Sequence, residues 1–137
     1  MHPTKGKGRI AEIEVLRLCV ERGYRVSIPF DDDAPYDLVV ERTDRSEPLQ
    51  RVQCKYTRSD GKVVQVRCRA TNNWSEVRYT PMMVDWIATF DATTERCYFV
   101  PAVELGDAGR TMMHLRLQPT SNGQSQGIRW ASDYLDW

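Results

Sequence analysis

Leu49-Gln50-Arg51-Val52-Gln53-Cys54-Lys55-Tyr56 is the stretch on which the fold turns. Residues two apart in a strand share a face, so Val52 and Cys54 point into one layer while Gln53 and Lys55 point together into the other. Ser59-Asp60-Gly61 is a turn signal after it, and the alternating run Val63 to Arg69 is expected to return as its hairpin partner. Upstream, Asp44 to Pro48 reads as a turn. Before that turn, Tyr36 to Glu41 reads as a strand with Leu38, Val39 and Val40 at its centre.

Further out, Tyr24 to Ile28 forms a short strand ended by Pro29, followed by the polar loop Asp31-Asp32-Asp33-Ala34-Pro35. The chain opens with a helix over Gly6 to Arg22. Ile10, Ile13, Leu16 and Val20 recur at helical spacing, and Gly23 supplies the stop. The second half is strand-rich: Asp85 to Phe90 and Cys97 to Val100 flank a polar turn, Met113 to Leu117 is a further strand, and residues 118–127 are loop. Ala131 to Leu135 reads as a short terminal helix. This order predicts an α/β (α+β) domain over residues 1–137, with a central mixed β-sheet and the first helix packed on one face.

Composition bounds the function. At 137 residues, 41% hydrophobic and 28% charged, the chain is an ordinary globular domain able to bury a core unaided. No run of 18 apolar residues exists, so no membrane span is expected. The basic N-terminus lacks the apolar stretch of a secretory signal, and a cytoplasmic location is expected. Cys19, Cys54, Cys68 and Cys97 lack C-x-x-C spacing and read as buried, reduced thiols rather than a zinc site.

Net charge is zero but unevenly spread. Residues 1–10 hold Lys5, Lys7 and Arg9 and no acid; residues 28–50 carry a net of −5 and residues 51–78 a net of +5. One basic face is enough to bind a polyanion, although solvated strands would give the same count.

Four polar residues converge on one chemistry. On the first helix, Glu14, Arg17 and Glu21 mark the solvent side, and Glu12 lies opposite on the stripe of Val15, Leu16 and Cys19. A carboxylate facing a sheet needs a metal, a cation or hydrogen bonds. A first-turn Glu favoured by the helix dipole would also account for it. Asp37 opens an apolar strand that disfavours Asp; it is either a turn residue or a carboxylate aimed into a cleft. If its strand neighbours Val52 to Tyr56, Asp37, Gln53 and Lys55 lie roughly 5 Å apart across the ladder, at one end of the sheet below Glu12. Hard oxygen ligands beside a lysine are the inventory of metal-assisted phosphodiester hydrolysis.

Lys7-Gly8-x-x-x-Glu12, Arg22-Gly23-Tyr24-x-Val26-Ser27-Ile28-Pro29-Phe30, Tyr36-Asp37-Leu38 and Val52-Gln53-Cys54-Lys55 resemble the PD-(D/E)xK nucleases. The branch they most resemble is that of homing endonucleases encoded in bacterial group I introns. Arg78-Tyr79, Val84-Asp85-Trp86-Ile87-Ala88, Cys97-Tyr98-Phe99-Val100-Pro101 and the tail from Leu115 to Tyr134 extend the likeness over nearly the whole chain. Archaeal Holliday-junction resolvases are a more distant match.

The resemblance implies a restriction-endonuclease-like core and Mg²⁺-dependent cleavage of double-stranded DNA, with Mn²⁺ as a substitute ion. It implies Glu12, Asp37, Gln53 and Lys55 as catalytic residues, the first three as metal ligands, and a homo-oligomer (dimer or tetramer) that cuts both strands. Gln53 stands where most of the superfamily has an acid, and the literal Pro-Asp pair is absent, Tyr36 preceding Asp37. Lys7, Arg9, Arg58, Lys62, Arg67 and Arg69 are the expected phosphate contacts, with Asn72 and Asn73 near base edges. Two alternatives share the core: a structure-selective, resolvase-like nuclease, and a catalytically inactive DNA-binding module to which Gln53 would be no handicap.

Overall fold

The computed structural model describes residues 3–71, 74–124 and 126–137. Helix α1 spans Pro3–Glu21 and is stopped at Gly23, whose φ of 76° is open to glycine at little cost. Strands β1 (Arg25–Ser27), β2 (Leu38–Glu41), β3 (Leu49–Thr57), β7 (Trp86–Asp91) and β8 (Arg96–Pro101) form a mixed sheet in the order β1-β2-β3-β7-β8. Only the β3–β7 pair is parallel, running from Val52↔Trp86 to Thr57↔Asp91; β1–β2, β2–β3 and β7–β8 are antiparallel. Arg51 fixes the entry to this parallel pair: its backbone N–H donates to Asp85 Oδ2 at 2.7 Å and its guanidinium pairs with the same carboxylate at 3.1 Å.

Two outer layers cover the sheet. On one face α1 packs Ala11, Val15 and Cys19 against Leu38, Val40, Val52, Cys54, Ala88, Phe90 and Phe99. The stripe predicted from Ile10, Ile13, Leu16 and Val20 is corrected here. Ile10, Ile13 and Val20 are 45%, 59% and 68% exposed, and the buried line is the i, i+4 series 11–15–19. Small side chains on that line let the helix axis approach the sheet closely, which bulkier Ile would prevent. Trp137 closes the end of this layer, stacked on Phe99 at 4.5 Å with the Arg42 guanidinium over its ring at 5.1 Å.

On the other face lies a two-stranded ribbon, β4 (Val63–Arg67) with β9 (Met112–Arg116). Its inward residues Val64, Val66, Met113 and Leu115 meet Ile87, Tyr98 and Val100 of the sheet. The expected hairpin between Val63–Arg69 and the Leu49–Tyr56 strand is therefore absent. Both edges of β3 are already taken by β2 and β7, so β4 leaves the sheet and packs across it, finding its ladder partner in β9. A small exposed hairpin, β5 (Arg69–Thr71) with β6 (Glu76–Arg78), projects from the end of β4. Gly109 (φ 76°) passes so near it that a Cβ there would sit 2.7 Å from that of Arg78.

The turn between β7 and β8 is organised by Asp91, which is wholly buried. It accepts hydrogen bonds from Ser59 N (2.8 Å), Ser59 Oγ (2.7 Å), Thr94 Oγ1 (2.9 Å) and Thr93 N (3.2 Å). Burial alone would raise its pKa, but these donors more than offset that and hold it below the ordinary value. Asp91→Ala leaves them unsatisfied, and a loss of about 1–3 kcal/mol in urea-unfolding stability is expected. The cysteines are free and buried as expected, their thiols pushed up by desolvation, Cys97 to about 12. No helix among the described residues is long and apolar enough to cross a membrane.

Candidate active site

The site forms where β2 begins and β3 runs on past it. Asp37 immediately precedes β2, and its backbone N–H donates to Val52 O at 2.8 Å, as the last rung of the ladder. The next N–H of β3 that faces this edge, that of Cys54, has no strand beside it. The Asp37 side chain supplies the acceptor instead, Oδ2 lying 2.9 Å from Cys54 N. The carboxylate is thereby fixed at the mouth between two diverging strands.

Glu12 reaches this mouth from α1, one residue past Ala11 on the buried line. Its carboxyl and that of Asp37 make a hydrogen-bonding contact. The Glu12 pKa is raised, first by burial and then by the Asp37 charge, with Arg9 opposing. Asp37 is also raised by burial, against the pull of the Cys54 N–H and the Lys55 ammonium. Two desolvated carboxyls side by side resist carrying two negative charges, and their contact raises Glu12 while it lowers Asp37.

Lys55 approaches from the other face of the sheet. Val52 and Cys54 pack toward α1, so Gln53 and Lys55 point toward the ribbon layer. The expectation that the pair lies below Glu12 is refined accordingly: Asp37, at the sheet edge, joins Glu12 on one side to Lys55 on the other. The Lys55 ammonium donates to Arg69 O at 3.2 Å and lies over the Tyr79 ring, 5.0 Å from its centroid. Burial, then the nearby Arg67 charge, lowers its pKa, while Asp37 opposes the shift. Gln53 is half-buried and turns its Nε2 to Cys54 O at 3.3 Å.

The structure thus brings Glu12, Asp37 and Lys55 together and holds Gln53 on the adjoining rung. Sequence reasoning missed Tyr79, which walls the site under Lys55. Its hydroxyl is pushed up to about 12, mainly by burial and further by Asp37. Nothing in local periodicity marks a tyrosine at a strand end for this position.

The expected phosphate contacts fall on both flanks. Lys7 and Arg9 are exposed on α1, with Lys7 Nζ 5.9 Å from the centre of the Tyr56 ring, just beyond Lys55 on β3. Arg58, Lys62 and Arg67 are exposed as well. Arg69 is half-buried and pairs with Glu76 at 3.6 Å, so much of its charge is already neutralised. Asn72 and Asn73 lie outside the described residues. Among the described residues no three His, Cys, Asp or Glu side chains gather as a metal cluster. The oxygen donors at the site are two carboxylates and one amide. Hard oxygen donors of this kind suit Mg²⁺.

A mixed sheet flanked by a helix, with acids and a lysine where two strands part, defines a restriction-endonuclease-like fold. The chain belongs to the PD-(D/E)XK endonuclease family, whose sequence profile matches residues 2–136. It is similar to the solved structure of a bacterial homing endonuclease, I-Ssp6803I. That match covers 96% of this chain and 88% of that one, at 25% identity and a TM-score of 0.66. No curated protein sequence matches the chain.

Proposed function

We propose that this nuclease is a metal-dependent endonuclease that hydrolyses phosphodiester bonds in double-stranded DNA at a specific site, in the manner of a homing enzyme. The carrying observation is the Asp37 carboxylate, pinned at 2.9 Å by Cys54 N between Glu12 and Lys55. Glu12, Asp37 and the amide oxygen of Gln53 would hold Mg²⁺, or Mn²⁺ in its place. When bound, the ion supplies positive charge at the scissile phosphate and acidifies water.

The protein's own groups account for the remainder. Asp37 is held rigidly by two backbone contacts, so it orients rather than follows the phosphate. Lys55, anchored by Arg69 O and the Tyr79 face, directs its remaining N–H bonds at a non-bridging phosphate oxygen or the attacking water. Water oxygen bonds to phosphorus as a bridging P–O bond breaks; the attacking water releases a proton to the surrounding solvent, and the departing oxygen takes one up. The lowered Lys55 pKa makes its ammonium a better proton donor than an ordinary lysine.

Two strands require two cuts, and each chain carries one such constellation, so a homo-oligomer is part of this proposal. The exposed Ile10, Ile13 and Val20 on α1 supply apolar surface for a second copy. Buried free thiols support a reducing, cytoplasmic setting.

Incubation with a randomised duplex library and Mg²⁺, followed by sequencing of the ends, tests the reading. The expected result is one enriched site with matched cuts on both strands. Preference for four-way junctions over linear duplex would turn the assignment to a structure-selective nuclease. Salt-sensitive binding without cutting in either ion would leave only a DNA-binding module.

A further inference from the structure

β9 has an outer face that the site just described does not use. Met113 and Leu115 point inward, so Met112, His114 and Arg116 point out, opposite Arg67, Gln65 and Val63 of β4. Residues 127–129 run alongside the outer edge of β9: Arg116 N donates to Arg129 O at 2.7 Å, and Arg116 bridges in parallel to Trp130. Between β9 and this segment lies a groove of about 370 Å³ whose polar side chains are Arg110, His114, Arg116 and Arg129.

Among the described residues no acid lines the groove. Glu104 stands behind it, 3.7 Å from Arg129 Nε and already accepting the Tyr134 hydroxyl at 2.6 Å. The Arg116 guanidinium bonds to the carbonyls of Gln118 and Pro119, which orient it without cancelling its charge. Nor, among the described residues, does any ion pair engage Arg110 or Arg116. Arg110 and Arg116 thus bring two guanidiniums that no described carboxylate pairs to one groove, beside Arg129 with its single partner, and a polyanion offers them the missing countercharge.

The strand that walls the groove is tied through the backbone to the segment that holds Lys55. Cys68 N donates to Thr111 O at 3.1 Å, joining the start of β9 to the end of β4. The next residue, Arg69, carries the carbonyl that holds Lys55. Arg67, outward-facing beside Met112, is near enough for its charge to act on Lys55. From Met112 to Arg116 the strand covers about 13 Å, which matches the axial rise of about four nucleotides of one strand.

We propose that the groove walled by Arg110, His114, Arg116 and Arg129 seats the phosphodiester backbone of one DNA strand as it leaves the cleavage site. This rests on the duplex-nuclease reading above and adds to it a second contact surface, on the β9 side of the ribbon. Guanidiniums grip successive phosphates, and His114 supplies a further hydrogen bond between them.

The test measures duplex affinity against salt concentration, without divalent ions, for the wild type, Arg110→Gln/Arg129→Gln, His114→Glu and Arg25→Gln. Arg25 is an exposed arginine on β1 and controls for loss of charge alone. The double variant should bind about tenfold or more weakly at low salt. Its slope of log affinity against log salt should become shallower by roughly 0.9 for each phosphate that the protein no longer neutralises. His114→Glu, at an exposed position where an acid is tolerated, should weaken binding similarly through repulsion. Arg25→Gln should change neither quantity. Single-turnover cutting of duplex with Mg²⁺ should stay within a few-fold of wild type in Arg25→Gln.

Unchanged affinity and slope in both groove variants, with the wild type still binding and cutting, would overturn the groove and leave the nuclease reading standing. A wild type that neither binds nor cuts duplex would overturn the nuclease reading itself.

Discussion

Asp37→Asn and Lys55→Ala are each expected to slow strand cutting by about a hundred- to a thousandfold or more, with duplex affinity changed only a few-fold. The magnitude is that of removing one preorganised charge from a transition state that accumulates negative charge. Asparagine is the informative replacement at Asp37. Its Oδ1 can still accept from Cys54 N, so the mouth between β2 and β3 keeps its shape while the charge is lost. Alanine there would leave a backbone N–H of nearly buried Cys54 unsatisfied and confound folding with chemistry. Lys55 lies against Tyr79, so its truncation opens space there and also removes the cation that acts on the Asp37 carboxylate. Nicking of supercoiled plasmid under single-turnover conditions reads both effects. Cutting within tenfold of wild type in both variants would remove the chemical basis of the assignment.

Glu12→Gln is expected to make the metal-free chain more stable, and a divalent ion to stabilise the wild type by about 4 kcal/mol at a thousandfold excess over its Kd. Glu12 and Asp37 both have raised pKa values, from burial first and from each other second in the case of Glu12. A raised carboxyl binds more protons folded than unfolded. Its favourable contribution is therefore complete below the unfolded pKa, near pH 4, and is lost as pH rises through the higher folded value. At neutral pH the metal-free pair is a liability. The stability difference between Glu12→Gln and wild type should thus be large at about pH 7 and shrink toward pH 4. Other acids such as Asp91 and Asp60 shift the opposite way, which is why the difference between the two proteins is the quantity to follow. Ca²⁺ or Mg²⁺ should raise the melting temperature of wild type and leave Asp37→Asn nearly unmoved in thermal scans. A wild type indifferent to both ions would count against a metal held by these residues.

Much of the fold was legible because its cues are local. The alternation through Val52-Gln53-Cys54-Lys55 separates two layers, and Gly23 and the polar turn at 91–96 mark element ends. The strand opened by Asp37 does neighbour β3, so the carboxylate meets that strand as strand adjacency requires. What stayed hidden depends on contacts distant in sequence. β4 pairs with β9 across some fifty residues, and no turn chemistry could announce that choice against the nearer β3. Helix α1 buries its smallest residues, because closeness to the sheet outweighs the apolar area of Ile10 and Ile13. Tyr79 enters the site only through that remote ribbon layer.

Because Asp37 completes the backbone ladder with its side chain, one hydrogen bond serves both architecture and chemistry. Fraying at the first rung of β2 would swing away the acid on which hydrolysis is proposed to depend, long before the domain unfolds. Exchange protection of the Cys54 amide is accordingly a gauge of competence as much as of order, and evolutionary change at this edge must satisfy both demands at once.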